Sequence, residues 1–421
     1  MNSSEKRVIF LADCQSFYAS VEKAAAPWYR DQPLVVAGDP ERRSGIVLAA
    51  CPLAKKFGIV TGEALGQALA KCPDLVVRRP RMETYIRASM QITNILESYS
   101  DLVEPFSIDE QFIDVSASLA HFQCTPLELA RHIQIRVRNE TGIYTRIGIG
   151  ENKILAKMAC DNFAKKNETG VFQLTRDNME ELWARPTDCL FGVGTRTMNH
   201  LRQIGIDTIG KLARTPLPEL KRKMKTYMKK RCDIWSEVMW RTANGYDDSP
   251  VTPDAFDRQK GIGRQTTLPY DYQNPDDINV VLLELSSLIC QRARSKGYMG
   301  DIVHAGAQGA DFERPSGFAR QMKIGDPTQI TREVFAAAKQ LFQKHWDRQP
   351  VRKIWVSLGG LRSDDVRQLT LFDGRERRLR LERTMDEIRE QFGPAAIFFG
   401  SSLKRTSQMK VLATKIGGHY K

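Results

Sequence analysis

Two strand-like runs in this chain carry carboxylates where apolar side chains are expected. Val8-Ile9-Phe10-Leu11-Ala12 ends on Asp13, and Asp109 and Glu110 interrupt Phe106-Ser107-Ile108-Asp109-Glu110-Gln111-Phe112-Ile113-Asp114. A buried charge is costly unless it is paired or binds a metal. Neighbouring strand residues face opposite sides, so Asp109 and Glu110 share a pocket only at a bend or strand end, where both could converge with Asp13. Three carboxylates gathered there would suit Mg²⁺, which takes oxygen ligands from carboxylates and phosphates. Two such ions about 3.5–4 Å apart activate an attacking hydroxyl and stabilise a leaving pyrophosphate. Acids at a solvent-exposed edge would give the same pattern.

The rest of the chain reads as several domains. Strand-like stretches at Val8–Ala12, Leu34–Ala37, Gly45–Ala50, Pro105–Val115 and Thr145–Ile149 alternate with helical ones at Pro52–Phe57, Met82–Tyr99 and Asn152–Ala164. A mostly helical block follows at about 172–246, then a proline-bearing linker at 247–254. The third block, about 255–363, mixes strands with amphipathic helices at Val280–Ser295 and Thr331–His345. A basic tail closes the chain, with an amphipathic stretch at Arg377–Phe392.

With 421 residues, about three domains are expected. A composition of 42% apolar and 27% charged residues excludes collagen-like and wholly disordered classes. No apolar run is long enough for a membrane span. The run Val8–Ala12 stops too soon for a secretory signal, so a cytoplasmic protein is expected. Eight scattered cysteines form no C-x-x-C pair, and the six histidines show no metal-like spacing, which leaves zinc-ribbon and thioredoxin readings without support. The formal charge of +13 points to a polyanionic partner, most often nucleic acid, although a basic soluble surface would look the same.

Together, Asp13-Cys14-Gln15-Ser16-Phe17-Tyr18-Ala19-Ser20-Val21-Glu22 and Ser107-Ile108-Asp109-Glu110 resemble the signature pair of Y-family translesion DNA polymerases. The stretches Ala54–Ile59, Gly148–Ala159 and Gly261–Pro269 match in the same order, so the resemblance spans nearly the whole chain. The tail ending Lys415-Ile416-Gly417-Gly418-His419 resembles the UmuC-like branch of Gram-positive bacteria and their phages. The resemblance implies a multidomain α/β right-hand polymerase. A ferredoxin-like palm would take 1–18 and 81–171, small fingers 19–80, and a helical thumb with a helix-hairpin-helix 172–246. After the linker 247–254, an α+β little finger would take 255–363 and a C-terminal tail 364–421.

The resemblance also assigns roles. Asp13, Asp109 and Glu110, with the backbone carbonyl of Cys14, would bind two Mg²⁺, or Mn²⁺ as a substitute. Tyr18 matches the steric gate, whose ring would collide with a ribose 2′-hydroxyl, and Phe17 lies beside it at the nucleotide. Lys165 matches a phosphate-binding lysine. Lys55 stands where many relatives carry an arginine, and supplies a point charge in place of a bidentate fork. Ala49 and Pro52 replace hydroxyl-bearing phosphate contacts, and Gln111 replaces a small residue, which puts nucleotide affinity and fidelity in question. Gly192, Gly194 and Thr195 fit the glycine hairpin, where backbone N–H groups can approach a DNA phosphate. The charge run Lys221–Arg231 could track phosphate or be a solvated helix face, and Arg264 matches family DNA contacts.

Gln368-Leu369-Thr370-Leu371-Phe372 resembles the bacterial sliding-clamp motif, with Gln368, Leu369, Leu371 and Phe372 as anchors. The implied partners are primer–template DNA, deoxynucleoside triphosphates, a sliding clamp and, through the tail, a recombinase or accessory mutagenesis subunits, with no membrane. The implied activity is low-fidelity translesion synthesis in DNA repair and damage tolerance, without proofreading. Two other readings share parts of this pattern. A catalytically silent pseudo-polymerase scaffold would keep the hairpin and clamp peptide without needing the acids. A nucleotide cyclase would share a metal-binding palm and leave the hairpin and clamp peptide unexplained.

Overall fold

The computed structural model describes residues 7–39, 45–227, 232–255, 259–311, 313–366 and 374–420. The chain divides into two compact units. Met1–Ala37, Val47–Arg78 and Glu83–Ala255 form one; Gly38–Ile46, Arg79–Met82 and Phe256–Lys421 form the other.

In the first unit, the run before Asp13 becomes strand β1 (Ile9–Cys14), buried at all six positions. A strand covered on both faces reads as an unbroken apolar run, which is why the carboxylate at its end stood out. A small sheet follows, made of β2 (Leu34–Ala37), β3 (Val47–Ala50) and β4 (Val76–Arg78), with β2 in the middle. The stretch expected as one strand at 105–115 is a hairpin, β5 (Val103–Pro105) and β6 (Glu110–Asp114). The N–H groups of Phe106 and Ser107 both donate to the Glu110 carbonyl and close the turn. With β7 (Thr145–Gly150) and β8 (Val171–Leu174), these strands build a five-stranded sheet ordered β5-β6-β1-β7-β8.

The helix Lys153–Ala159 lies directly on β7. Asn152 caps it by accepting from the Leu155 N–H. Close approach requires glycine in the strand: a Cβ on Gly148 would sit 2.1 Å from the Ala156 carbonyl oxygen, and one on Gly150 2.4 Å from the Ala156 nitrogen. The helix runs on into a π-helical turn, Cys160–Ala164. Helices Thr195–Gln203, Ile209–Arg214, Leu217–Met224 and Cys232–Ala243 gather around Leu182, Leu201, Ile209, Leu220 and Met239. The expected linker is not free. Val251 is buried with Ile9, Leu11 and Phe112, and the Thr252 N–H donates to Glu104 at 2.8 Å.

The second unit holds an antiparallel sheet of β9 (Gly261–Tyr272), β10 (Tyr298–Gly309), β11 (Gly317–Thr328) and β12 (Val351–Gly359), ordered β11-β10-β12-β9. Helices Pro275–Ser295 and Thr331–His345 share its core. The tail is part of this unit. Its helix Arg375–Phe392 contributes Glu382, which accepts from the Thr331 N–H at 2.8 Å and pairs with Arg294, and Asp386, 2.6 Å from Arg294. Leu412 joins the core, and Glu284 accepts from the Gln408 N–H at 2.8 Å. Among the described residues, no helix is long and apolar enough to cross a membrane.

Candidate active site

The strand pairing that builds the five-stranded sheet also brings the acids together. Asp13 and Glu110 lie directly opposite one another across β1 and β6. Asp109 occupies the turn just before β6, so it escapes the alternation that would send it to the far face. Its carbonyl accepts from the Cys14 N–H at 2.9 Å, and its carboxylate accepts from the Ser107 hydroxyl at 2.6 Å. The acids line a cavity of about 390 Å³ together with Cys14, Phe17, Tyr18, Lys55 and Lys165. Eight site residues expected from sequence therefore share one place.

Sequence reasoning named Lys165 as a phosphate contact but missed Lys157 and Asp161, which join it in holding these acids. The helix, the π-helical turn and its C-cap present Lys157, Asp161 and Lys165 at spacings of four. Lys165 Nζ lies 2.6 Å from Asp13 Oδ2, 2.7 Å from Asp161 Oδ1 and 3.8 Å from Glu110 Oε1. Lys157 Nζ lies 2.6 Å from Glu110 Oε1 and 3.1 Å from Asp161 Oδ2. The recurrence of Lys, Asp and Lys every fourth residue was the available signal. Arg146 also lines the cavity, with its Nη1 held by the Asn167 carbonyl at 2.9 Å.

The electrostatics reflect this crowding. Burial, and then the hydrogen bond with Glu110, push the Asp13 carboxyl up to about 8 against the pull of Lys165. Burial acts to raise Glu110 too, but its hydrogen bonds with Asp13 and Lys157 prevail and hold it below the usual range. Burial opposes the Lys165 charge, yet Asp13 and Asp161 outweigh it and keep that lysine above its ordinary value. Burial, followed by the nearby Asp109 charge, raises the Tyr18 phenol.

The donor set fits a hard divalent cation. Asp13, Asp109 and Glu110 bring carboxylate oxygens to one cavity wall beside Cys14, the oxygen-rich set such an ion takes. Ser16, at the cavity wall, adopts the left-handed conformation at φ 50°, which costs a non-glycine residue about 1–2 kcal/mol. Among the described residues, buried Ser16 Oγ and Arg146 Nε have no hydrogen-bond partner. Such orphaned groups at a cavity wall suit a polar ligand.

The other expected residues lie elsewhere. Ala49 lines the cavity, whereas Pro52 opens the helix Pro52–Lys56. Gln111 is buried, and its Nε2 approaches the Ser89 carbonyl at 3.5 Å, so it points away from the face Glu110 occupies. Gly192, Gly194 and Thr195 are exposed, with Gly192 at φ 85° and Gly194 capping the helix Thr195–Gln203. Lys221 and Lys223 are tied to Glu237 and Glu219. Arg264, expected at DNA, donates through Nη2 to the carbonyls of Leu412 and Lys415 at 2.9 and 3.1 Å. Gln368, Leu369, Leu371 and Phe372 lie outside the described residues.

Residues 12–161 match the impB/mucB/samB family model, and residues 259–371 match that family's C-terminal domain. The chain is 51% identical over 419 residues to "DNA polymerase IV 2" of Bacillus subtilis, covering 99% of this chain and all of the relative. It is 50% identical to the protein of the same name from Halalkalibacterium halodurans, with the same coverage of both chains. "DNA polymerase IV" of Pelotomaculum thermopropionicum is 40% identical over 94% of this chain and 95% of its own. These relatives carry the polymerase IV name, not that of the UmuC-like branch suggested by the tail. A solved Y-family DNA polymerase chimera of Dbh and Dpo4 shares the fold, with a TM-score of 0.68 and 24% identity over 84% of this chain and 98% of its own.

Proposed function

The chain belongs to the Y-family of DNA polymerases and is a DNA-directed DNA polymerase; we propose that it extends primers past damaged template bases by two-metal-ion phosphoryl transfer. The observation that carries this reading is the convergence of Asp13, Asp109 and Glu110 on one cavity beside Tyr18 and Lys165. In the reaction, the primer 3′-hydroxyl attacks the α-phosphorus of a deoxynucleoside triphosphate, a new P–O bond forms, and pyrophosphate leaves.

Asp13, Asp109 and Glu110, with the Cys14 carbonyl, would hold two Mg²⁺, and Mn²⁺ would substitute. When bound, such ions supply Lewis-acid stabilisation of charge on the phosphoryl oxygens. The chain's own groups do the remaining work. Lys165, Lys55 and Arg146 offer positive charge to the triphosphate along the cavity wall. Lys157 holds Glu110 in place from behind. Tyr18 presents its ring to the sugar, with the Phe17 ring tilted beside it, centroids 5.9 Å apart.

Domain roles follow the same reading. Residues 1–18 and 81–171 act as palm, 19–80 as fingers, 172–246 as thumb and 255–363 as little finger. The exposed Gly192–Thr195 hairpin offers backbone N–H groups to DNA phosphate, a contact that positions DNA without reading sequence. The segment Gln368–Phe372 tethers the enzyme to a sliding clamp and raises its local concentration at primer ends.

Template-directed extension of an undamaged primer that stops on chelation of divalent metal tests the catalytic reading. DNA binding with no extension, with or without clamp, would favour the silent scaffold. For the tether, Leu371→Ala with Phe372→Ala is expected to abolish clamp stimulation and leave clamp-free extension unchanged. Equal clamp stimulation in that variant would refute it.

A further inference from the structure

Tyr18 does not stand alone. Its ring stacks on Tyr85, with centroids 4.5 Å apart and planes at 19°. Tyr85 belongs to the helix Met82–Glu97 and is fully buried. Its hydroxyl donates to Glu22 Oε1 at 2.8 Å. Glu22 is itself buried, and its other oxygen accepts from Arg78 Nε at 3.5 Å. Tyr18 and Glu22 are four residues apart on the helix Phe17–Ala25, so both reach the same neighbour from one face. Position 22 is thus a carboxylate held inside the protein, where a charge is tolerated only if partnered.

A ring that excludes a hydroxyl by collision is only as selective as it is stiff. A tyrosine free to swing away would yield to the extra oxygen at little cost. Here the ring's back face rests on a second ring that is itself pinned by a hydrogen bond to a buried carboxylate. We propose that Tyr85, anchored by Glu22, is a positioning residue for sugar selection: it backs Tyr18 and sets how strongly ribonucleotides are refused. The inference rests on the reading of Tyr18 as the gate.

The test measures kcat/KM for a deoxynucleotide and its ribonucleotide counterpart in four variants of the full chain. Tyr18→Ala sets the scale, with selectivity expected to fall by roughly 100-fold. Tyr85→Leu removes the flat platform and should lower selectivity by roughly 10-fold, with deoxynucleotide incorporation within about threefold of wild type. Tyr85→Phe keeps the stack, loses only the anchor, and should lower selectivity by about threefold; it also keeps the proposal testable if Tyr85→Leu fails to fold. In Tyr18→Ala with Tyr85→Leu, the second change should add nothing, because a positioning residue acts only through what it positions. Wild-type selectivity in both Tyr85 variants, or additive losses in the double variant, would overturn the proposal while the gate reading stands. Wild-type selectivity in Tyr18→Ala would overturn both.

Discussion

Replacing Asp109 and Glu110 together by alanine is expected to lower primer extension by at least ~10³-fold, because charge stabilisation at the transition state is the largest contribution such a site makes. Asp13, Asp109 and Glu110 turn three carboxyl groups into one cavity, where Lys55, Arg146 and Lys165 also lie. Those converging oxygens are what give a hard divalent cation a place. Without Asp109 and Glu110, Asp13 is left beside Lys165 at 2.6 Å, and the oxygen donors for a dication are gone. Folding should survive, since Asp109 lies in a turn and Glu110 at a strand end, both only partly buried. Primer–template binding, measured by fluorescence anisotropy, should also persist. Extension within tenfold of wild type would show that these acids are not the reacting centre.

The largest effect on stability is expected from Gly148→Ala. The added Cβ would meet two backbone atoms, the Ala156 carbonyl oxygen at 2.1 Å and the Cys160 nitrogen at 2.4 Å. Backbone cannot rotate aside as a side-chain tip can, so the helix Lys153–Ala159 must lift from β7. A loss of about 3 kcal/mol or more in chemical denaturation is expected. Activity should fall further than stability alone accounts for, because Lys157, Asp161 and Lys165 would move with that helix. Gly66→Ala is the contrast: it sits in the helix Leu65–Lys71 with nothing within 4 Å of the added methyl. That change should stabilise the protein by about 0.5–1 kcal/mol. Similar outcomes for the two substitutions would contradict the close-packing account.

The acids were legible in the sequence because a charge at the end of an apolar strand violates the local pattern. The bend that lets Asp109 and Glu110 converge was legible only as a condition, since the turn is fixed by pairing with β1 and by the N–H groups of Phe106 and Ser107 that close onto Glu110. Helical periodicity located Thr331–His345 with its observed ends. Strand β4 left no mark, being three residues of partly exposed backbone. The supporting residues were hidden for a related reason. Lys157 and Asp161 look like an ordinary solvated helical pair until glycines in the neighbouring strand bring their helix down onto the acids. Tyr85 is one aromatic in an amphipathic helix, and only the fold sets it behind Tyr18. Arg264 read as a phosphate contact because it is a cation in a strand matching a DNA-gripping domain; that carbonyls about 150 residues away also accept from its guanidinium was not legible.

The most direct measurement is Mg²⁺-dependent extension of a primed template carrying one abasic site, by wild type and by Asp109→Ala with Glu110→Ala, next to an undamaged control. The account predicts extension of both templates by wild type, with products beyond the abasic position, and neither by the variant. Wild-type synthesis that copies the undamaged template but halts at the abasic site would contradict translesion synthesis; extension by the variant would contradict the assigned centre.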